Sequence, residues 1–407
     1  MSSDLDSVEL EILRTQLESV AEEMGEVLQR TAFSPNIKER RDFSCALCDR
    51  QGRLVAQAAH IPVHLGAVPA TMRAFLDQVD PKPEVGYLLN DPYAGGTHLP
   101  DLSMIQPVLL DERIQGYLVN RAHHTDVGGT EAGSMTPTDH IDREGFRTGP
   151  RAISHGGQLD FGQVEDLLKT TRTPSQRRTD LEAQQAALTR GVERFQEWQR
   201  GLEHPVSSVF ENLMEYSRRF TRNFLSRLPN RSVAVEDVLD DDGFGHREIP
   251  IRAELTVQDE EVTVDYTDTA DQVPGNLNCP RAVTLSASYY VLCGLLEQEV
   301  PVNQGLFDPL CVRTRSGSLL DVEYPGAVAA GNVETSQRIV DVLLSALAEV
   351  FPDRIPAHGQ GTMNNLTMGW ESGEQTTTYY ETLGGGAGGG PDHPGLSARQ
   401  VHMTNTL

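Results

Sequence analysis

The sequence predicts an α+β protein of two to three regions, in which mixed or antiparallel sheets pack with helices and one region is a helical insertion. Short runs that alternate between apolar and polar residues predict strands. Stripes of apolar residues at spacings of three and four predict amphipathic helices. At 407 residues, the chain is long enough for a large core and for more than one structural region.

The shifts in pattern divide the chain into three regions. Residues 1–159 are predicted to form an N-terminal α+β region, residues 160–230 a helical region, and residues 231–407 a C-terminal α+β region. The first helix is predicted to begin at Asp6, with Glu9 three residues further along as a capping pair. Its apolar stripe is expected to pack on the core of this chain, or alternatively on a partner chain.

A hairpin is predicted within the N-terminal region. Residues 103–110 and 114–119 are rich in strand-forming residues, and the short polar stretch between them predicts a turn. With a loop of three residues, counting back along both strands places Asp101 opposite His123. A loop of two residues would shift this register by one position and bring His124 to the same place instead.

Imidazoles and a carboxylate converge at the open end of this hairpin. Directly opposed residues have Cβ atoms about 5 Å apart, so one small cation can bridge Asp101 and His123. His98 lies on a turn bent by glycine and proline, from which its ring can fold back to the same point. The pattern predicts a divalent metal held by His98, Asp101 and His123, with the open coordination positions of a catalytic site. Such ligands suit zinc, manganese or iron. The alternative is that these residues are hydrogen-bonded members of an ordinary loop.

Three residues on or just after the second strand are candidates for catalysis: Arg121, His124 and Asp126. Asp126 is a candidate general base if it is buried near the metal, and a solvated loop carboxylate is the alternative. Arg121 is a candidate for binding phosphate oxygens. His123 and His124 point to opposite faces while the chain stays extended, so at most one of them joins the metal directly.

Five residues on nearby loops are candidates for substrate binding: Arg40, Arg41, His60, His64 and Asp91. The two arginines are candidates for binding phosphate oxygens. His60 and His64 lie four residues apart in a loop interrupted by proline, so they make a weak metal pair. A hydrogen-bonded structural role explains either histidine equally well.

The composition narrows the possible partners. The chain has 34 basic and 59 acidic residues, which gives a net charge of −25. Only Lys38, Lys82 and Lys169 are lysines, so the other 31 basic residues are arginines. This acidic, lysine-poor composition is typical of halophilic proteins, in which concentrated salt screens the repulsion between like charges. An ordinary acidic protein is the alternative. In either case nucleic acid is not expected as a partner.

The sequence favours a cytoplasmic protein without membrane association. No apolar run approaches the roughly 20 residues that span a bilayer, and the N-terminus has no secretion signal. The five cysteines are odd in number and scattered, which fits reduced thiols. The glycine-rich run 384–390 lacks the Lys-Ser/Thr ending of a phosphate loop, so ATP is not expected to bind to this chain.

Several long motifs occur in one order along most of the chain. They are residues 39–46, 52–57, 60–66, 90–93, 95–101, 123–129, 133–135, 331–336 and 381–386. In these motifs the sequence resembles the hydantoinase B / oxoprolinase family, which includes a subunit of acetone and acetophenone carboxylases. Relatives generally continue beyond the position of Leu407, so the C-terminal region is expected to be truncated relative to the family.

The resemblance implies a B-type subunit that works in a hetero-oligomer with a larger, ATP-using A-type subunit. In that family the partner phosphorylates a carbonyl oxygen of a cyclic amide or a ketone, and the B-type subunit completes hydrolysis or carboxylation at a metal. His98, Asp101 and His123 match the metal-ligand positions of the carboxylase members. The implied activity is metal-assisted hydrolysis of a phosphate-activated cyclic amide, as in a hydantoinase or 5-oxoprolinase. The alternatives are a ketone carboxylase subunit and a non-catalytic scaffold subunit.

Overall fold

Helices and several antiparallel or mixed sheets make up the computed structural model of the protein, which confirms the predicted α+β class. The structure describes residues 5–58, 61–296, 300–372 and 375–404. The helices in these residues are α1 (Ser7–Thr31), α2 (Pro35–Lys38), α3 (Ala67–Gln78), α4 (Glu165–Thr170), α5 (Pro174–Arg200), α6 (Val206–Leu225), α7 (Arg281–Leu295), α8 (Gln304–Phe307) and α9 (Ser336–Ala348).

The strands are β1 (Phe43–Asp49), β2 (Leu54–Ala58), β3 (Val85–Leu89), β4 (Asp101–Leu110), β5 (Arg113–His123), β6 (Arg151–His155), β7 (Gln158–Leu159), β8 (Arg231–Asp241), β9 (Arg247–Gln258), β10 (Glu261–Asp265), β11 (Leu310–Arg313), β12 (Asn364–Ser372), β13 (Gln375–Leu383), β14 (Gly386–Ala387) and β15 (Leu396–Ser397). The last four strands form two separate hairpins, β12–β13 and β14–β15.

The first seven strands form an antiparallel sheet in the order β2-β1-β5-β4-β3-β6-β7. Strand β1 is buried along its whole length, and β4 and β5 are buried except near their shared turn. Helices α1 and α5 cover one face of this sheet. The other face packs against α3 and the C-terminal half of the chain, where α9 lies on the second sheet, β11-β10-β9-β8. The central strands therefore have two buried faces.

Residues 160–230 contain the helices α4, α5 and α6. Helix α5 packs on β4 and β5, and its buried side chains belong to the same core as those of α1. The helical region therefore shares a core with the N-terminal sheet. In the described part of the chain, no helix combines the length and apolarity needed to cross a membrane.

The β4–β5 hairpin pairs Asp101 with His123, which confirms the predicted register. Its turn differs from the prediction, because the loop holds only Asp111 and Glu112, both with positive φ (48° and 61°). Positive φ at both central residues is the conformation of a type I′ turn. A bulge at Gln115 adds one residue to β5 and cancels the shift that the shorter loop would cause. The predicted register is therefore correct for a different reason.

A buried ion pair fixes α5 against the start of the chain. Arg177 Nη2 donates to Asp180 Oδ2 at 2.9 Å, and both side chains are inaccessible to solvent. Asp180 Oδ1 accepts the N–H groups of Phe33 and Ser34 at 2.9 and 3.0 Å. One carboxylate therefore stabilises both a buried guanidinium and the break in the chain after α1.

We expect Asp180→Ala to lower the free energy of unfolding by about 3–5 kcal/mol, because it leaves Arg177 buried without its hydrogen-bonded carboxylate. Asp180→Asn is the matched control, since it keeps an acceptor for the backbone N–H groups and removes only the charge. It should lose less stability than the alanine variant. Chemical denaturation measures both, and a loss below about 1 kcal/mol for Asp180→Ala would contradict this account.

Candidate metal centre

The turn after β3 and the β4–β5 hairpin bring His98, Asp101 and His123 together. His98 Nε2 and His123 Nδ1 lie 3.3 and 3.2 Å from Asp101 Oδ1, and 3.1 Å from each other. All three side chains are buried, with at most 3% of any of them exposed. Three possible metal ligands therefore converge on one buried point.

The backbone before Asp101 is held in place by specific contacts. Asn90 Nδ2 donates to the carbonyl oxygens of Leu99 and Phe146 at 2.7 and 2.8 Å, which fixes the turn that carries His98. Gly95 has a φ of 80°, and a Cβ at this position would lie 2.5 Å from the carbonyl oxygen of Ala70. Glycine is therefore required where this turn passes α3.

His64 is a third imidazole at this site. Its Nε2 lies 3.4 Å from Asp101 Oδ2, and its Nδ1 lies 3.1 Å from the hydroxyl of Ser44. The hydroxyl of Thr97 also donates to Asp101 Oδ2. The second oxygen of Asp101 is thus held by protein groups, and the first faces His98 and His123. Sequence analysis gave His64 only as a candidate substrate contact, and its companion His60 lies outside the described residues.

The donor atoms fit a divalent metal. Bonds of about 2.0–2.2 Å to a metal such as zinc, at tetrahedral or octahedral angles, place neighbouring ligand atoms about 2.8–3.6 Å apart. The observed distances of 3.1–3.3 Å fall in this range. Asp101 Oδ1 is buried and accepts no hydrogen bond from the described residues. A cation bound there would satisfy this oxygen.

The charges of the cluster depend on one another. Burial alone would lower the pKa of His98, but the carboxylate of Asp101 outweighs this effect and raises the pKa above its ordinary value. Burial opposes the ionisation of Asp101, yet the imidazoles of His98 and His64 hold the pKa of this carboxyl well below its usual range. Asp101 is therefore ionised, as a metal ligand must be.

The β12–β13 hairpin covers the cluster, a contact that sequence analysis missed. The ring of Tyr380 stacks on His123, with 5.0 Å between ring centroids and an interplanar angle of 26°. The Tyr380 hydroxyl donates to Asn365 Oδ1 at 2.6 Å within the hairpin. The guanidinium of Arg40, a candidate substrate-binding group, lies 5.6 Å from the centroid of the Tyr380 ring. Arg40 therefore lies beside the aromatic cover of the site.

Arg121 precedes His123 by two residues on β5 and so lies on the same face of the sheet. Its Nε donates to Ser103 at 2.8 Å and its Nη2 to Thr71 at 2.6 Å, and both acceptors are neutral hydroxyls. Its Nη1 is buried and has no partner among the described residues. Burial lowers the pKa of Arg121 to about 10, and the charge of Asp101 opposes this shift.

Two other candidate substrate-binding residues are Arg41 and Asp91. Arg41 is exposed, with a φ of 55°. Asp91 accepts the N–H of Tyr93 at 3.1 Å and pairs with Arg147 at 2.9 Å. These contacts give Asp91 a structural role at the start of the turn.

The structure does not bring His124 or Asp126 to the cluster. His124 points to the opposite face of the sheet, where its Nε2 lies 2.9 Å from Gln184 Oε1 on α5. Burial, followed by the charge of Arg177, lowers the pKa of His124 to about 4. Both oxygens of Asp126 accept hydrogen bonds at 3.0–3.1 Å from Gly128, Gly133, Thr171 and Arg172. A carboxylate held by this many donors is poorly placed to accept a proton.

Comparison with known proteins assigns the family. The model of the family Hydantoinase B/oxoprolinase matches residues 6–407. This chain belongs to the hydantoinase B/oxoprolinase family. It is 38% identical over 431 residues to 5-oxoprolinase 1 of Arabidopsis thaliana, with 98% of this chain and 33% of that protein covered.

Two further similarities are informative. The chain is 29% identical over 424 residues to a D-/L-hydantoinase subunit of Pseudomonas sp. (strain NS671), with 99% of this chain and 71% of that protein covered. Its structure is similar to the crystal structure of the ATP-dependent caprolactamase from Pseudomonas jessenii, with a TM-score of 0.90, 25% sequence identity, and coverage of 99% of this chain and 71% of that chain. The chain thus spans about a third of the plant 5-oxoprolinase and most of the bacterial hydantoinase component.

We expect Tyr380→Ala to weaken metal binding about 10–100-fold, because the stacked ring fixes the orientation of His123. Tyr380→Phe is the matched control, since it keeps the ring and removes only the hydroxyl bond to Asn365. It should bind metal as the wild type does. Competition with a chelator gives the dissociation constants. Equal affinities in all three proteins would show that stacking does not position His123.

Proposed function

We propose that this chain is the B-type subunit of an ATP-dependent cyclic amide hydrolase and that it binds a divalent metal through His98, Asp101 and His123. The observation that carries this proposal is the buried triangle of donor atoms around an Asp101 oxygen that has no hydrogen-bond donor among the described residues. Membership of the hydantoinase B/oxoprolinase family supports the reaction class. The names of the plant 5-oxoprolinase and the bacterial caprolactamase point to cyclic amides as substrates.

The bound metal would polarise the carbonyl group of the substrate or lower the pKa of a bound water. Zinc, manganese and iron all suit two imidazoles and a carboxylate. The contribution of the chain is to hold these ligands in place before substrate arrives. His64 and Thr97 orient Asp101 through its second oxygen, and Tyr380 orients the ring of His123.

Arg121 is the group that we assign to an anionic part of the substrate. A buried guanidinium is costly unless an anion compensates it, and the hydrogen-bonding side chains around Arg121 are neutral hydroxyls. Its free Nη1 lies on the sheet face that carries His123 and Asp101. The phosphate of an activated amide would supply the missing acceptor. Arg40, next to Tyr380, is a second candidate for the same phosphate.

The phosphate is proposed to come from ATP bound to a separate A-type subunit, so that the active species is a hetero-oligomer. The caprolactamase of similar structure is named as ATP-dependent. In this chain the glycine-rich run 384–390 lacks the ending of a phosphate loop. All five cysteines are free thiols, which fits the proposed cytoplasmic location.

Metal analysis of the purified chain tests the site directly. We expect the wild type to contain about one divalent metal ion per chain, and His98→Ala and Asp101→Ala to lose it, because each substitution removes one of three protein ligands. His155→Ala is the control, since this histidine is exposed at the end of β6. Elemental analysis by mass spectrometry gives the metal content.

The same variants separate the candidate functions when they are combined with the A-type subunit. Under our proposal, loss of the metal abolishes ATP-dependent ring opening of hydantoin or 5-oxoproline. A metal-free wild type that supports full activity would instead indicate the scaffold alternative. Product formation from a ketone that requires bicarbonate would indicate the carboxylase alternative.

The net charge of −25 leads us to propose that the protein is halophilic. We expect the midpoint of thermal unfolding to rise as potassium chloride increases from about 0.1 M to about 1 M, because the screening length falls from about 10 Å to about 3 Å. Differential scanning fluorimetry measures the midpoint. An unchanged or falling midpoint would favour an ordinary acidic protein.

A further inference from the structure

Glu144 is a buried carboxyl group to which sequence analysis assigned no role. It follows the short turn Ile141–Arg143, and only 2% of its surface is exposed. Its Oε1 accepts the N–H groups of Val328 and Ala329, both at 2.9 Å, and the hydroxyl of Thr138 at 3.3 Å. This single oxygen ties the loop that carries Glu144 to the loop before α9.

The second oxygen of Glu144 is different. Oε2 is also buried, yet it accepts no hydrogen bond from the described residues. Clamping two backbone N–H groups needs only one oxygen, which the amide of a glutamine would supply equally well. The hydrogen bonds to Oε1 therefore do not explain the second carboxylate oxygen. Burying this oxygen without a hydrogen-bond partner costs free energy.

The segment that carries Glu144 lies beside the turn that carries His98. Asn90 Nδ2 donates to the carbonyl oxygens of Leu99 and Phe146. Leu99 directly follows His98, and Phe146 lies two residues after Glu144. The charge of Glu144 raises the pKa of His98, and the imidazolium of His98 lowers the pKa of Glu144. The carboxyl group is thus an electrostatic neighbour of the candidate metal centre.

Burial affects the protonation of Glu144. Burial raises the pKa of Glu144 to about 7, although its hydrogen bonds and His98 oppose this shift. Among the described residues, His98 and Tyr93 interact electrostatically with Glu144. A group that titrates near the working pH is suited to accept a proton and to return it within one turnover.

We propose that Oε2 of Glu144 is the general base that takes a proton from the water attacking the ring carbonyl carbon. This inference rests on the hydrolysis proposed above for the centre formed by His98, Asp101 and His123. It assigns to Glu144 the role for which Asp126 was the sequence-based candidate. Oε2 of Glu144 accepts no hydrogen bond from the described residues, whereas both oxygens of Asp126 are occupied.

In this step the oxygen of water forms a bond to the carbon that carries the phosphoryl-oxygen group. One proton of that water passes to Glu144, and the electron pair displaced from the carbon moves onto the ring nitrogen. Glu144 then returns its proton to that nitrogen. As the C–N bond breaks, the nitrogen takes a second proton from the new hydroxyl and an acyl phosphate remains, which a second water hydrolyses to a carboxylate and inorganic phosphate.

Glu144→Gln separates the structural hydrogen bonds from proton transfer. Glutamine keeps an acceptor for the N–H groups of Val328 and Ala329 but has no basic oxygen. In the complex with the A-type subunit, we expect kcat for ring opening to fall about 10²–10⁴-fold. KM, metal content and the midpoint of thermal unfolding should remain close to those of the wild type. Glu144→Asp keeps a carboxylate and should retain part of the rate. The control is Glu131→Gln, an exposed carboxyl group in the preceding loop, which should behave as the wild type.

The pH profile gives an independent readout. The wild-type kcat should rise with pH until the base is ionised, and the residual rate of Glu144→Gln should lack this rise. A wild-type rate in Glu144→Gln, or a loss of metal or of thermal stability that accounts for its lower rate, would overturn the assignment. If the wild-type and Glu131→Gln complexes also open no cyclic amide, the proposed function fails, and the role of Glu144 fails with it.

Discussion

The ionised carboxylate of Asp101, buried at the end of a hairpin, is the feature on which the site depends. Removing a carboxylate from water costs several kcal/mol unless neighbouring groups compensate it. Here the compensating side chains come from separate parts of the chain: His64 from the turn before α3, His98 from the turn after β3, and His123 from β5. These parts must be in place together, so the fold of the N-terminal half and the formation of the site are one process.

Polar residues lie on both faces of the central sheet, and they have different roles on each face. Because neighbouring residues on a strand point in opposite directions, His123 and His124 lie on different faces. His123 enters the candidate metal centre, and His124 bonds Gln184 on α5, near the buried pair Arg177–Asp180. The second face thus carries a polar network that stabilises helix packing, and a substitution there is expected to act through stability.

The sequence predicted the parts of the site that depend on local order along the chain. The strand pattern and the position of the turn place Asp101 opposite His123. The observed turn is one residue shorter than predicted, and the bulge at Gln115 adds one residue to β5, so the register at Asp101 is unchanged. The approach of His64 to Asp101 and of Tyr380 to His123 joins segments distant in sequence, for which no local pattern exists. The environment of Glu144 was equally hidden, because its Oε1 accepts hydrogen bonds from backbone groups at 328–329, which are distant in sequence.

Under the proposed function, the overall charge gives a reason for an arginine that makes no ion pair at this site. A chain with a net charge of −25 repels anions, including any phosphorylated substrate. In concentrated salt this long-range repulsion is screened within about 3 Å, so binding depends on cations in direct contact with the substrate. Arg121 meets that need because the side chains that bond it are neutral hydroxyls and none of its hydrogen bonds goes to a carboxylate among the described residues. Burial beside Asp101 also makes the contact insensitive to salt, since buried charges are screened far less than exposed ones. A halophilic enzyme that handles phosphate would therefore be expected to leave such an arginine unpaired inside the protein and to keep its many other arginines in surface ion pairs.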